Sequence, residues 1–165
     1  MKRILKTTLL VLLVLLVLIQ LYPRKAANNN PDASRDIARA HTVPASVQNI
    51  LTSACYDCHS NQTTYPWYAK LQPVSMWLED HIEEGKKELN FSEFASYPLA
   101  RQFRKLEEIG GEVKEGEMPL ESYTFIHTDA KLNADQRSTL VNWSEAIRDS
   151  MQKVYPADSL VRKKK

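Results

Sequence analysis

The chain of 165 residues holds only two cysteines, both inside the stretch SACYDCHSN from Ser53 to Asn61, so none is left over for a second pair. A formal net charge of +2 is too small to imply a nucleic-acid partner, and no basic stripe interleaved with aromatics occurs. Alternating strand patterns are absent, and no segment recurs at a fixed period as in a solenoid. A chain of this length buries one modest core, which predicts one folded domain with one site.

The long apolar run is confined to the N-terminus. MKRILK is basic, and LLVLLVLLVLIQL, residues 9–21, is interrupted only by Gln20. This is the pattern of an export signal. Counted from Ile4, with Lys6 snorkelling to the interface, it approaches the roughly 20 residues needed to span a bilayer. Cleavage after Ala26 or Ala27 would place Arg24 or Lys25 where a small residue is needed, which favours an uncleaved anchor. Lys2, Arg3 and Lys6 outnumber Arg24 and Lys25, so the N-terminus is expected in the cytoplasm and the remainder outside. No cysteine directly follows the apolar run, which argues against a lipoprotein anchor. The expected organisation is a transmembrane helix over 1–22, a polar, Asn-rich tether over 23–43, a folded domain over 44–156 and a basic tail over 157–165.

Cys55-x-x-Cys58-His59 admits several chemistries. A disulfide between Cys55 and Cys58 would close a very short loop and constrain the unfolded chain little. A thioredoxin-like pair needs a preceding strand, whereas PASVQNILTSAC carries Val47, Ile50, Leu51 and Ala54 at helical spacing, with Ser46 as the expected N-cap. Zinc lacks a second Cys/His pair at finger-like spacing. The remaining chemistry is covalent haem attachment. A helix continued through the motif puts Cys55, Cys58 and His59 at i, i+3 and i+4 on one face, where two thiols reach the haem vinyls and the imidazole reaches the iron. Export agrees, because haem c is attached outside the cytoplasm.

The other axial position of such an iron is taken by methionine, by a second histidine, or is open. Met151 falls on a helical stripe with Leu140, Trp143, Ile147 and Val154 and reads as packing. Met118 stands in GGEVKEGEMPLESY, a Gly-rich stretch expected to be a loop, and is the preferred ligand. Met76 and His81 share PVSMWLEDHIEEG, read as a helix with Ser75 as N-cap and Gly85 at its exit; Met76 is the second thioether candidate and His81 the bis-His alternative. His41 lies in the tether, and His127 is expected to cap or pack. Tyr65, Trp67 and Trp77, just beyond the attachment motif, are expected to wall the haem crevice. A further helix from Pro98 carries Leu99, Phe103, Leu106 and Ile109 and is expected to stop at Gly110-Gly111, while Asn133 and Gln136 form a capping box at the start of the last helix.

CYDCHSNQTTYPWY, PVSMWLEDHIEEGKKELNFSEF, GEMPLESYTFIHTDAKL and QRSTLVNWSEAI, in this order from about Ala45 to Ile147, resemble the run of motifs of the small exported haem-binding domain family with a single C-x-x-C-H. The resemblance implies covalent haem c held through Cys55, Cys58 and His59. The family usually has Trp where this chain has Met76, which makes Met76 a packing position and favours Met118; His81 and His127 also fall on family motif histidines. The resulting expectation is an all-α, cytochrome c-like domain around one covalent haem, preceded by a transmembrane helix. It would pass single electrons to redox partner proteins in the periplasm from a single-pass position on a bacterial inner membrane. The alternatives are a gas-sensing or peroxide-reducing haem protein with an open distal site, where His81 or Glu79 would serve as acid-base group, and an exported interaction module with a Cys55–Cys58 disulfide.

Overall fold

Apolar residues three and four apart fold the chain as helices throughout, and no strand occurs among the described residues. The computed structural model describes residues 1–23 and 32–161; residues 24–31 of the expected tether and 162–165 of the expected basic tail lie outside them. In chain order the helices are α1 (Lys2–Ile19), α2 (Ile37–Ala40), α3 (Ala45–Ala54), α4 (Tyr56–His59), α5 (Val74–Glu88), α6 (Leu99–Glu115), α7 (Glu121–Thr124) and α8 (Ala134–Val154). Short 3-10 turns at Trp67–Lys70, Phe91–Ser96, Thr128–Ala130 and Ala157–Ser159 link them.

The core is built where α6 packs along α8. Gly110 permits the close approach, since a Cβ there would lie 2.8 Å from Ser144 Oγ. Glycine at this point therefore serves helix packing and does not end α6, which runs on to Glu115 and stops at Gly116 in the left-handed conformation (φ 84°). Leu106 and Leu140 meet in this interface with Phe91, Phe94 and Leu51, all at most 1% exposed, and each contributes about 1.5–3 kcal/mol by leaving water. The expected capping box opens α8: Asn133 accepts from the Gln136 amide at 2.8 Å and Gln136 accepts from the Asn133 amide at 2.9 Å.

Several boundaries differ from expectation. Packed chain begins before Pro44: Asp36 caps α2, and Ile37 is fully buried in the core. At the other end Leu160 is buried, so the chain stays packed past residue 157. Pro44 and Pro73, rather than Ser46 and Ser75, precede the first residues of α3 and α5, and Gly85 lies inside α5 rather than at its exit. In α1 every residue is exposed except the partly covered Ile19, and its first turns carry Lys2, Arg3 and Lys6. Among the described residues no helix is long and apolar enough to cross a membrane, so the transmembrane helix expected over 1–22 is not met as such.

Candidate functional site

The helix expected to run through the cysteine motif breaks at Cys55, whose backbone (φ −126°, ψ −39°) leaves helical geometry before α4 begins. The turn survives the break, because the Cys58 and His59 amides both donate to the Cys55 carbonyl, at 3.2 and 2.9 Å. Cys55, Cys58 and His59 thus remain on one wound turn. The intervening side chains anchor it from outside: Tyr56 is buried against Phe91, with ring centroids 5.5 Å apart. Asp57 accepts from the Thr64 amide at 2.9 Å and from the Tyr123 hydroxyl at 2.7 Å. Burial and this carboxylate push the Tyr123 phenol upward, which keeps it the proton donor.

The exposed side of the turn opens into two cavities. The first, about 250 Å³, is lined by Ala54, Cys55, His59, Leu89, Phe91, Ile109, Val113, Leu132 and Leu140, with Lys105, Glu88, Glu108 and Glu112 also on its wall. The second, about 360 Å³, carries Cys58, His59, His81, Glu84, Gly85, Leu120 and Tyr123. Ala54, His59, Glu88, Met118 and Pro119 line both, so His59 and Met118 stand at the seam, with one cysteine on each side.

Helix α5 fixes the histidine. His59 Nδ1 lies 2.9 Å from the Gly85 carbonyl and 3.1 Å from the Leu89 carbonyl; both are acceptors, so Nδ1 carries the proton and donates. Nε2 is left with its lone pair. Burial, and to a lesser degree Lys105, lower the pKa of His59 and keep the ring neutral. Gly85 makes the approach possible: a Cβ there would sit 2.9 Å from the Cys58 carbonyl oxygen and 3.4 Å from His59 Cε1.

The thiols are held protonated. Cys55 keeps some accessible surface because it faces the cavity, yet it is deep enough that desolvation, with Cys58 nearby, raises it to about 12. Burial and Asp57 raise Cys58 to about 11. A disulfide oxidoreductase needs the opposite, a thiol whose pKa is depressed.

The sequence-derived candidates separate accordingly. Cys55, Cys58, His59 and Met118 come together. Tyr65, expected on the crevice wall, lines neither cavity and is partly buried against Ala69, Leu78 and Ile82. Trp67 and Trp77 do not wall either cavity; they are 74% and 48% exposed, Trp77 lying against His81 with ring centroids 4.3 Å apart. Aliphatic residues of α6 and α8, Ile109, Val113 and Leu140, line the first cavity instead, with Cys55 and His59. Met76 is exposed on α5 and lines neither cavity. His81 does line the second, but its Nδ1 donates to the Trp77 carbonyl at 2.9 Å. His127 stacks on Tyr123 at 4.3 Å and meets the Tyr68 hydroxyl at 2.6 Å. His41 packs edge-on against Phe94, and Met151 is core. Sequence reasoning missed Gly85 and Leu89, which act through their carbonyls, and Lys105.

The donor set suits an iron porphyrin. An imidazole held in one tautomer, a thioether and two thiols face two adjoining spaces whose combined size falls in the 300–1,000 Å³ range of cofactor sites. These features define a helical haem-binding domain. The chain matches the haem-binding domain family over residues 14–146 and belongs to it. No curated protein and no solved structure matches the chain.

Proposed function

We propose that the protein binds one haem c through Cys55, Cys58 and His59, with Met118 as the second axial ligand, and passes single electrons as a membrane-anchored periplasmic carrier. The supporting observation is the state of His59: the Gly85 and Leu89 carbonyls fix its proton on Nδ1 and leave Nε2 its lone pair, on a residue that lines both cavities as Met118 does. When bound, the haem supplies a one-electron iron couple.

The chain's own part is attachment, orientation and dielectric. Cys55 and Cys58, held protonated, would each add sulfur and hydrogen across one vinyl double bond of the haem, so no group would leave. His59 stays neutral, which is the form that ligates. Met118, in the short segment between α6 and α7, brings a soft thioether that favours ferrous iron and raises the reduction potential. Leu89, Phe91, Ile109, Val113, Leu132 and Leu140 exclude water from one side, in the same direction.

Anchoring rests on α1. The apolar residues from Leu9 onward are unburied, and the family match begins at residue 14, inside this helix. Its end is tied to the domain: Gln20 donates to the Gln72 carbonyl and accepts from the Gln72 amide, each at 3.0 Å. With the chain beyond it polar and exported, this helix would hold the domain beside membrane-bound redox partners.

The test is the optical spectrum of the full chain matured by a haem-attachment system, oxidised and reduced, in wild type and Met118→Ala. A weak near-infrared sulfur-to-iron band in oxidised wild type, abolished in the variant, is expected. A high-spin wild type that binds carbon monoxide readily would replace electron transfer with the gas-sensing or peroxide-reducing reading. Protein that matures without a Soret band would leave only the interaction module.

A further inference from the structure

Lys105 is out of place in the wall it occupies. It stands on α6 among Gln102, Leu106 and Ile109, is 4% exposed, and faces the first cavity. Its Nζ donates to Glu88 Oε2 at 3.0 Å and to Glu108 Oε2 at 2.6 Å. An ammonium group has three N–H donors, and these two carboxylates account for two. Burying such a charge is costly, and a well-packed apolar residue at this position would serve the core as well or better. It lines the same cavity as His59.

The surroundings are acidic. Among the described residues lining the two cavities, Lys105 is the only lysine or arginine, against Glu84, Glu88, Glu108 and Glu112. Haem carries two propionates, and a propionate beside a glutamate without a cation partner would be repelled. We propose that Lys105 is the counter-ion of a haem propionate, its third N–H donating to the carboxylate. The assignment rests on the haem reading given above. Glu88 accommodates the exchange: its side chain is 72% exposed at the end of α5 and turns into water as the propionate arrives. Glu108, 35% exposed and one helical turn from Lys105, stays as the resident partner.

A competing role is purely structural, with Lys105 clasping α5 to α6 through Glu88. Resonance Raman spectra of the full haem-loaded chain separate the two, because the propionate bending band moves with the hydrogen bonds its carboxylate accepts. In Lys105→Met one propionate band is expected to shift, and in Lys105→Arg to return to the wild-type position. In Glu88→Gln, where a competing carboxylate is removed at an exposed site, the same band is expected to move the opposite way. A band unchanged in Lys105→Met, with a lowered urea midpoint, would establish the clasp and overturn the proposal. If Lys105→Met does not fold, an unchanged band in Glu88→Gln overturns it equally. A wild type with no Soret band and no haem modes would remove the haem reading, and the propionate pair with it.

Discussion

The seam around His59 and the aromatic segment just outside it lie only a few residues apart in the chain but are held in different ways. At the seam, backbone does the holding: the carbonyls of Gly85 in α5 and of Leu89 just after it fix one imidazole, and a glycine lets the two backbones approach. In the segment from Tyr65 to Trp77, the tryptophans rest on neighbouring rings at the surface. Trp67 meets Tyr68 edge-on at 5.9 Å with most of its indole in water. A site fixed through backbone cannot give way at one atom without moving a helix, whereas a surface aromatic can be lost with little consequence inside. Geometry at the iron position should therefore depend on α5 and α6 far more than on the tryptophans.

The largest expected effect breaks the seam without touching any ligand. In Gly85→Ala the new methyl meets the Cys58 carbonyl at 2.9 Å, backbone against helix, so α5 must shift. Overpacking of this kind costs about 1–3 kcal/mol. The shift also lengthens both Nδ1 hydrogen bonds, so the low-spin fraction of haem-loaded protein is expected to fall along with the urea midpoint. A variant unchanged in both would show that α5 does not position His59.

How much of this was legible in the sequence follows from where the information sits. The turn that carries Cys55, Cys58 and His59 shows in its residue types, and the loop at Met118 in a Pro and a nearby Gly. Helix α6 was read only in part: Leu106 and Ile109 are on the buried stripe, but Gly110 was taken as a stop when it is a contact with Ser144. Glycine signals a terminus and a close approach alike, and only the neighbouring helix tells them apart. The carbonyls of Gly85 and Leu89 have no side-chain signature at all. Lys105 did leave a trace, a charge one step before Leu106 and four before Ile109, on the face that should be apolar. The tryptophans misled because aromatic character is the same on a cavity wall and on a surface.

A second histidine sharpens the contrast at intermediate size. His41 resembles His59 in that burial lowers its pKa from 6.5, but its Nε2 faces Gln102 Oε1 at 3.1 Å. Gln102 spends its own amide on the Tyr97 carbonyl at 2.8 Å, so Oε1 must accept and His41 Nε2 must donate. That nitrogen is spent on structure and has no lone pair for a metal. A folded pKa below the unfolded value means that the unfolded chain takes up the proton first. Stability is then expected to be level above pH 6.5 and to fall as acid is added below it. In haem-loaded protein, where iron would hold His59, His41→Gln is expected to flatten this slope while leaving the Soret band in place. The measurement is a series of urea midpoints between pH 7.5 and 5; an unaltered slope would assign the acid sensitivity elsewhere.

The smallest effect is expected where the sequence placed a wall. Trp67→Ala removes an indole that is 74% exposed and touches Tyr68 only edge-on. Substitutions at such positions change stability by about 0.5 kcal/mol or less. The Tyr68 hydroxyl keeps its bond to His127, and neither cavity loses a lining residue. Urea midpoint, Soret position and reduction potential are all expected to stay at wild-type values. A changed potential with an unchanged midpoint would mean that the aromatic segment folds over the bound haem, and the division drawn here between a backbone-held seam and a dispensable surface would fail at that point.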